Sequence, residues 1–178
     1  MDTPAASLAG QLLVATPEMG DPRFARTVIL LVQHSAKAAV GIVINRPARE
    51  LPMVQLLEAL GLDSGGSDGT ATVFAGGPVQ PEIGFIVHSS EFRRPGTVDI
   101  DEHLALTRDP QVLRAIGRHE GPRKSLIAFG YAGWGPEQLE GELASGAWFT
   151  TPEEPSLVFD LDRATLWEEA TKRRTIPL

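Results

Sequence analysis

The sequence contains no cysteine, which excludes thiol catalysis, thiolate metal sites and a disulfide framework and suits a reducing compartment. It also has no apolar run approaching the about 20 residues that a membrane-crossing helix requires; the longest aliphatic stretch near its start is Val28 to Val32. Met1-Asp2-Thr3-Pro4 carries neither the basic flank nor the apolar segment of a signal peptide, so a cytoplasmic location is expected. Positive charge is scarce. With 16 Lys+Arg against 23 Asp+Glu the formal charge is -7, and such a mean field repels polyanions, which disfavours direct nucleic-acid binding. There is no G-x-S-x-G elbow, no P-loop and no dinucleotide fingerprint. The four histidines, His34, His88, His103 and His119, include no pair at metal-site spacing, so neither a metal nor a cofactor is expected.

What is present is an ordinary globular balance. Hydrophobic residues make up 42% and charged residues 22% of 178 residues, while 18 Gly and 14 Pro imply many turns around short elements. A chain of this length buries roughly 70% of its unfolded surface and is read as a single domain over 1–178. Leu12 to Thr16, Val28 to His34 and Val40 to Asn45 read as strands, the last two as a hairpin. Met53, Leu56, Leu57 and Leu60 keep helical spacing between Pro52 and Gly61. The tract Asp63 to Gly69 reads as a mobile surface loop. Ala71 to Ala75, Gly84 to Val87, Ser125 to Phe129, Trp148 to Thr150 and Leu157 to Phe159 read as further strands. Asp109-Pro110 opens a helix carrying Val112, Leu113 and Ile116, and Asp162 opens a last helix ending in Lys172-Arg173-Arg174, cations that complement its dipole. Strands in runs as well as alternating with helices favour an α+β chain with a mixed sheet.

Three stretches are richer in glycine, proline and polar residues than their neighbours require: Thr16 to Phe24, Gly76 to Pro81 and Gly130 to Gln138. Each follows a strand, where scaffolds place ligands. In Gly130-Tyr131-Ala132-Gly133-Trp134-Gly135-Pro136-Glu137-Gln138-Leu139 a helix start accounts for most residues: Gly135 as N-cap, Pro136 in the first turn, Gln138 reaching back, and Trp134 against Leu139 as a staple. The functional reading makes Tyr131 and Trp134 pocket walls beside backbone N–H groups, with Gln138 and Glu142 on one helix face. Gly76-Gly77-Pro78 reads as a conformational turn before it reads as a phosphate cradle. Asn45-Arg46-Pro47 can orient a carboxylate or phosphate, or simply close a turn. His34 and His88 end apolar strands, where an imidazole acts as a base or bonds a neighbouring loop. His103 and His119 read as surface residues.

Together these segments resemble the YqgE/AlgH family of bacterial proteins. The resemblance is carried by Leu13-Val14-Ala15-Thr16-Pro17 with Met19 and Phe24, by Gly41-Ile42-Val43-Ile44-Asn45-Arg46-Pro47, by Gly76-Gly77-Pro78-Val79 with Gly84-Phe85 and His88-Ser89, and by Gly130-Tyr131-Ala132-Gly133-Trp134 with Gln138-Leu139-Glu140, Glu142-Leu143 and Trp148. It implies an α+β fold whose strongly bent mixed sheet closes into a pseudo-barrel with helices outside. The family carries a label as a transcriptional regulator, from an association with alginate production, and no catalytic residue or cofactor is carried over with it. Glu137 departs from the glycine usual at its position.

The function these residues favour is a regulatory module that binds a small anionic ligand or a protein partner, with Asn45, Arg46, Gly76, Gly77, His88, Tyr131, Trp134 and Gln138 lining a cleft and an indirect effect on transcription. The alternative is a metal-independent hydrolase or transferase with His88 or His34 as catalytic base and a glycine-rich loop as anion hole. On that reading His88→Ala removes activity and leaves the melting temperature nearly unchanged. Direct DNA binding stands third, because the chain is acidic and shows no helix-turn-helix or basic stripe.

Overall fold

The computed structural model describes residues 7–160 and 162–174. Its elements in order are β1 (Gln11–Ala15), β2 (Val28–His34), β3 (Ala39–Val43), β4 (Pro47–Pro52), α1 (Met53–Ala59), β5 (Thr70–Ala75), β6 (Val79–Ser89), β7 (Val98–Asp99), β8 (Leu104–Thr107), α2 (Gln111–Gly117), β9 (Ser125–Trp134), α3 (Gln138–Ala144), β10 (Trp148–Pro152) and α4 (Leu166–Thr171), with a π-helical turn at Ser156–Asp160. Eight strands follow one antiparallel path, β10-β1-β2-β3-β9-β6-β8-β7. β5 lies parallel to β9 and carries β4 antiparallel on its far side, so the sheet is mixed. It curls into a half-barrel.

The curl follows from strands that are apolar on both faces. In β2, Val28 to Leu31 have no exposed surface, and side-chain alternation divides the strand between two clusters. Val28, Leu30 and Val32 point to the inner cluster, with Leu12 and Val14 of β1. Ile29 and Leu31 point to the outer one, with Leu13, Trp134, Leu139 and Trp148. Each such side chain contributes roughly 1.5–3 kcal/mol on burial. α1 and α2 cover the other half of the sheet through Met53, Leu56, Leu57, Val112 and Leu113.

β9 joins the two halves. Its residues Ile127 to Phe129 pair with β5, and Ala132 to Trp134 pair with β3, while β6 runs along its opposite edge. Where β3 and β5 part, Gly76 receives Val43 N–H on its carbonyl and donates to the Phe129 carbonyl at 2.8 Å. Backbones cross there too closely for side chains: a Cβ on Gly77 would lie 2.1 Å from the Tyr131 carbonyl carbon, and one on Gly76 2.4 Å from the Gly130 oxygen.

The inner cluster is filled unevenly. At the end of the half-barrel where β1 finishes and β2 begins, the π-turn supplies Leu157 and Val158 and α4 supplies Leu166 and Ala170, the Trp167 indole donates to Ala15 O at 2.8 Å, and Arg163 donates to Ile44 O at 3.2 Å. Among the described residues the opposite end has no such plug. There the two ends of the strand path approach each other: Glu153 N–H donates to Gly10 O, and Asp101, just beyond β7, sits so close to Gly10 that a Cβ would meet its Oδ2 at 2.8 Å.

The structure departs from the sequence reading in definite places. Leu157 to Phe159 is a helical turn, because Leu157 and Val158 both enter the inner cluster and consecutive strand residues would face opposite sides. Gly130 to Trp134 continues β9 where a loop was expected. The first residues after Asp162 form a turn, with Asp162 Oδ1 accepting Ala164 N–H at 3.0 Å, and α4 starts only at Leu166. The tract 63–69 is tied to α2: Arg118 donates to Gly65 O and Arg114 pairs with Asp63. β4, β7 and β8 were not foreseen.

Candidate functional site

The three glycine- and proline-rich segments come together on the outer face. Phe24 and Arg23 from the first, Pro78 from the second and Trp134 and Gln138 from the third line two adjoining hollows of about 350 and about 230 Å³, with Arg46 and Gly77 on the smaller one. Their polar groups are engaged with the chain itself. Glu142 accepts the indole N–H of both Trp134 (3.2 Å) and Trp148 (2.9 Å) on one oxygen, and the Gln138 amide at 3.1 Å on the other. Gln138 in turn accepts Gly135 N–H at 3.0 Å, the reach-back expected of a helix start, although α3 begins at Gln138 itself. Glu137 stands just before it with φ of 62°, a left-handed conformation that glycine adopts without strain.

Asn45 and Arg46 hold the neighbouring turn. Asn45 accepts Val28 N–H and donates to Arg26 O, both at 3.0 Å; Arg46 donates to the carbonyls of Arg23 and Ala25. Arg23 pairs with Asp21 at 2.8 Å, and this hydrogen bond holds the Asp21 carboxyl below the usual range.

His88 has no exposed surface. One ring nitrogen meets Ser89 O at 2.9 Å and the other the Thr107 hydroxyl at 2.8 Å, which contacts the Thr97 hydroxyl. A ring fixed in this way is part of the core, so the expectation that His88→Ala leaves the melting temperature unchanged is corrected: its removal opens a cavity and strips two hydrogen bonds. His34 is also occupied. Its Nδ1 accepts Leu8 N–H at 3.0 Å and its Nε2 donates to Glu140 at 2.9 Å, a bond that lowers the Glu140 carboxyl. His103 and His119 are exposed.

A larger hollow of about 530 Å³ occupies the end of the half-barrel away from α4, on the inner face. Its apolar walls include Val32, Val40, Ile83, Phe85, Val98 and Leu106, with Ala9 beside them; its polar groups come from Ser7, Gln33, His34, Gln80, Tyr131, Asp99 and Arg108, and the Ser7 hydroxyl is engaged with His34 O and Ala9 N–H. Tyr131 donates to Gln80 at 3.2 Å and packs edge-on to Phe85 at 5.9 Å. Asp99 is neutralised by Arg93 at 2.7 Å, a hydrogen bond that holds its carboxyl below the usual range. Arg108 lies 5.5 Å from the Phe85 ring centroid and has no carboxylate partner among the described residues.

The residues singled out in the sequence thus fall into separate places. Arg46, Gly77, Trp134 and Gln138 line the outer hollows; Tyr131 and His34 line the inner one; His88 and Asn45 line neither. Tyr131 and Trp134, three residues apart on β9, belong to the inner and outer clusters respectively. Sequence reasoning did not find Arg108, an isolated arginine before a helix start, nor the apolar walls, which look like any core residues. Among the described residues no group of three His, Asp or Glu is placed to hold a metal ion, and no helix is long and apolar enough to cross a membrane.

Residues 12–178 match the model of a family described as AlgH-like. The chain is 42% identical over 171 residues to a UPF0301 protein of Methylococcus capsulatus, covering 96% of this chain and 90% of that one. It is 44% identical over 153 residues to a UPF0301 protein of Rhodospirillum rubrum, covering 86% and 80%. The solution structure of the AlgH protein from Pseudomonas aeruginosa superposes with a TM-score of 0.80 at 38% identity, over 99% of this chain and 94% of that one. A crystal structure from Corynebacterium diphtheriae, at 22% identity and a TM-score of 0.74 over 99% and 92%, shares the fold.

Proposed function

The chain belongs to the AlgH-like family, and on that premise we propose that it is a binding module which holds a small molecule in the inner hollow and exerts any effect on transcription indirectly. The observation that carries this reading is the hollow itself: about 530 Å³ of space, within the range of sites for small ligands, with mostly apolar walls and a few polar groups at its mouth. Among the described residues no element plugs this end, whereas the opposite end of the same curled sheet is packed by α4 and the π-turn. Binding is favoured over catalysis because the nitrogens of His34 and His88 already have partners within the chain. The net charge of -7 favours a small ligand over nucleic acid.

A thermal-shift and calorimetric screen of carboxylates, sugar phosphates and nucleotides tests the reading, run in parallel on Ile83→Trp and Val40→Phe, which fill the hollow from two strands. Stabilisation of the parent chain that both variants lose supports the site. Stabilisation that survives in both places the ligand elsewhere and overturns it.

A further inference from the structure

We infer that the ligand of the inner hollow is a monocarboxylate with a hydrocarbon body, its head group held by Arg108; this rests on the reading of the hollow as a binding site. Most polar groups of the hollow are already engaged within the chain. His34 has both nitrogens engaged. Tyr131 donates its hydroxyl to Gln80, and the charge of Asp99 is matched by Arg93. The remaining charged group is Arg108, whose guanidinium rests near the Phe85 ring and faces no carboxylate among the described residues.

An arginine fork receives a carboxylate through two parallel N–H donors. One fork suffices for a single negative charge. A phosphate monoester presents close to two charges at neutral pH and a nucleotide di- or triphosphate more, and such groups are usually met by several cations or by a row of backbone N–H groups at a glycine-rich turn. Neither lines this hollow: the tight glycines at 76 and 77 are consumed by their crossing with Gly130 and Tyr131. The rest of the wall is hydrocarbon, from Val32, Val40, Ile83, Phe85 and Leu106, and it rewards an apolar body in proportion to the area it covers. Val98, 60% exposed at the lip, extends that surface outward. Among the described residues the large hydrophobic side chains left exposed are Leu60, Val79 and Val98.

The test uses the full chain and matched probes: octanoate, octanamide, octyl phosphate and acetate, titrated calorimetrically into the parent protein, Arg108→Ala, Arg108→Lys and Ile83→Trp. Octanoate binds the parent, octanamide and octyl phosphate bind about tenfold or more weakly, and acetate does not bind measurably. Arg108→Ala removes the preference for octanoate over octanamide, Arg108→Lys keeps part of it, and Ile83→Trp abolishes binding of both. Asp99→Asn, which removes the nearby negative charge, leaves octanoate binding intact or tighter. If octanamide binds the parent as well as octanoate does, and Ile83→Trp blocks both, the hollow is a binding site but the inference about its ligand falls. If octyl phosphate binds more tightly than octanoate, the ligand class is wrong in the same way. Octanoate binding that Ile83→Trp leaves unchanged overturns the location, and no binding by any probe overturns the inference as a whole.

Discussion

The two faces of β9 differ in how far their polar groups are already spent. On the outer face Trp134, Trp148, Gln138 and Glu142 form a closed network in which each polar side chain has a partner within the chain. On the inner face, three residues earlier on the same strand, Tyr131 looks into a hollow whose mouth carries an arginine with no carboxylate partner among the described residues. The motif-dense face is the self-satisfied one. Density of glycine, proline and tryptophan therefore reports what the backbone must do at a crossing and a helix start, while the hollow proposed to receive a guest is lined by scattered residues that form no motif.

The crossing gives the largest effect. Gly77→Ala sets a Cβ against main-chain atoms of Tyr131 and Ala132, at 2.1 and 2.5 Å, and backbone cannot yield as a side chain can. Overpacking there should cost about 3 kcal/mol or more, read as a lower urea midpoint or as failure to accumulate folded protein. A cost below about 1 kcal/mol would mean that the glycine is kept for ligand access and not for packing. Next comes the outer network. Glu142→Ala leaves two indole donors and the Gln138 amide without their acceptor, at about 2–3 kcal/mol, and the hollow should still bind its ligand in the folded fraction. His88→Ala falls in the same range through its cavity and its two lost hydrogen bonds.

The carboxylates beyond the ends of β7 and β10 supply a dependence on pH. Glu153 hydrogen-bonds through its N–H to Gly10. Its carboxyl has one oxygen buried without a donor, faces Asp101, and lies near Glu154, itself paired with Arg173 at 3.5 Å. Burial first, and the Asp101 and Glu154 carboxylates after it, push the Glu153 carboxyl up to about 8. Between an ordinary glutamate's 4.5 and that value the folded chain keeps a proton which the unfolded chain releases. Stability is therefore fully present below the lower value and declines as pH rises through the upper one. The melting temperature of the parent should fall between about pH 5 and about pH 8 and level off above that, whereas Glu153→Gln, neutral throughout, should lose most of that slope. Equal slopes in the two proteins would remove the carboxyl pair as its cause.

Much of this fold was legible. The run Val28 to His34 is a strand because five consecutive aliphatic residues fill both faces of a curled sheet, and Met53, Leu56 and Leu57 pack as their helical spacing requires. β4 was hidden by Pro47 and Pro52 at its ends; it lies outermost beside β5, where missing N–H donors can face away from the ladder. Leu157 to Phe159 has strand composition but a helical assignment, and only the tertiary position of its two buried residues decides that. Glu137 takes a φ of 62°, a left-handed conformation that glycine adopts without strain, so Glu137→Gly should raise stability by about 1 kcal/mol, a shift readable by urea titration. For the site, Tyr131 and His34 could be picked out beside strand ends. Arg108 could not, since its meaning depends on the absence of a partner, and absence leaves no pattern in a sequence.

The smallest expected change in stability is the one that most sharpens the contrast between the two faces. Arg108→Ala removes a guanidinium with neither a carboxylate pair nor a cap to keep among the described residues, so the unfolding free energy should move by no more than about 0.5 kcal/mol, while Glu142→Ala, on the other face, should move it several times further. Such a small change would accord with the proposed role of Arg108 as a ligand contact rather than a structural one. If Arg108→Ala instead destabilises the chain as strongly as Glu142→Ala does, its packing on Phe85 is structural, the inner face is as self-satisfied as the outer one, and the contrast between them disappears.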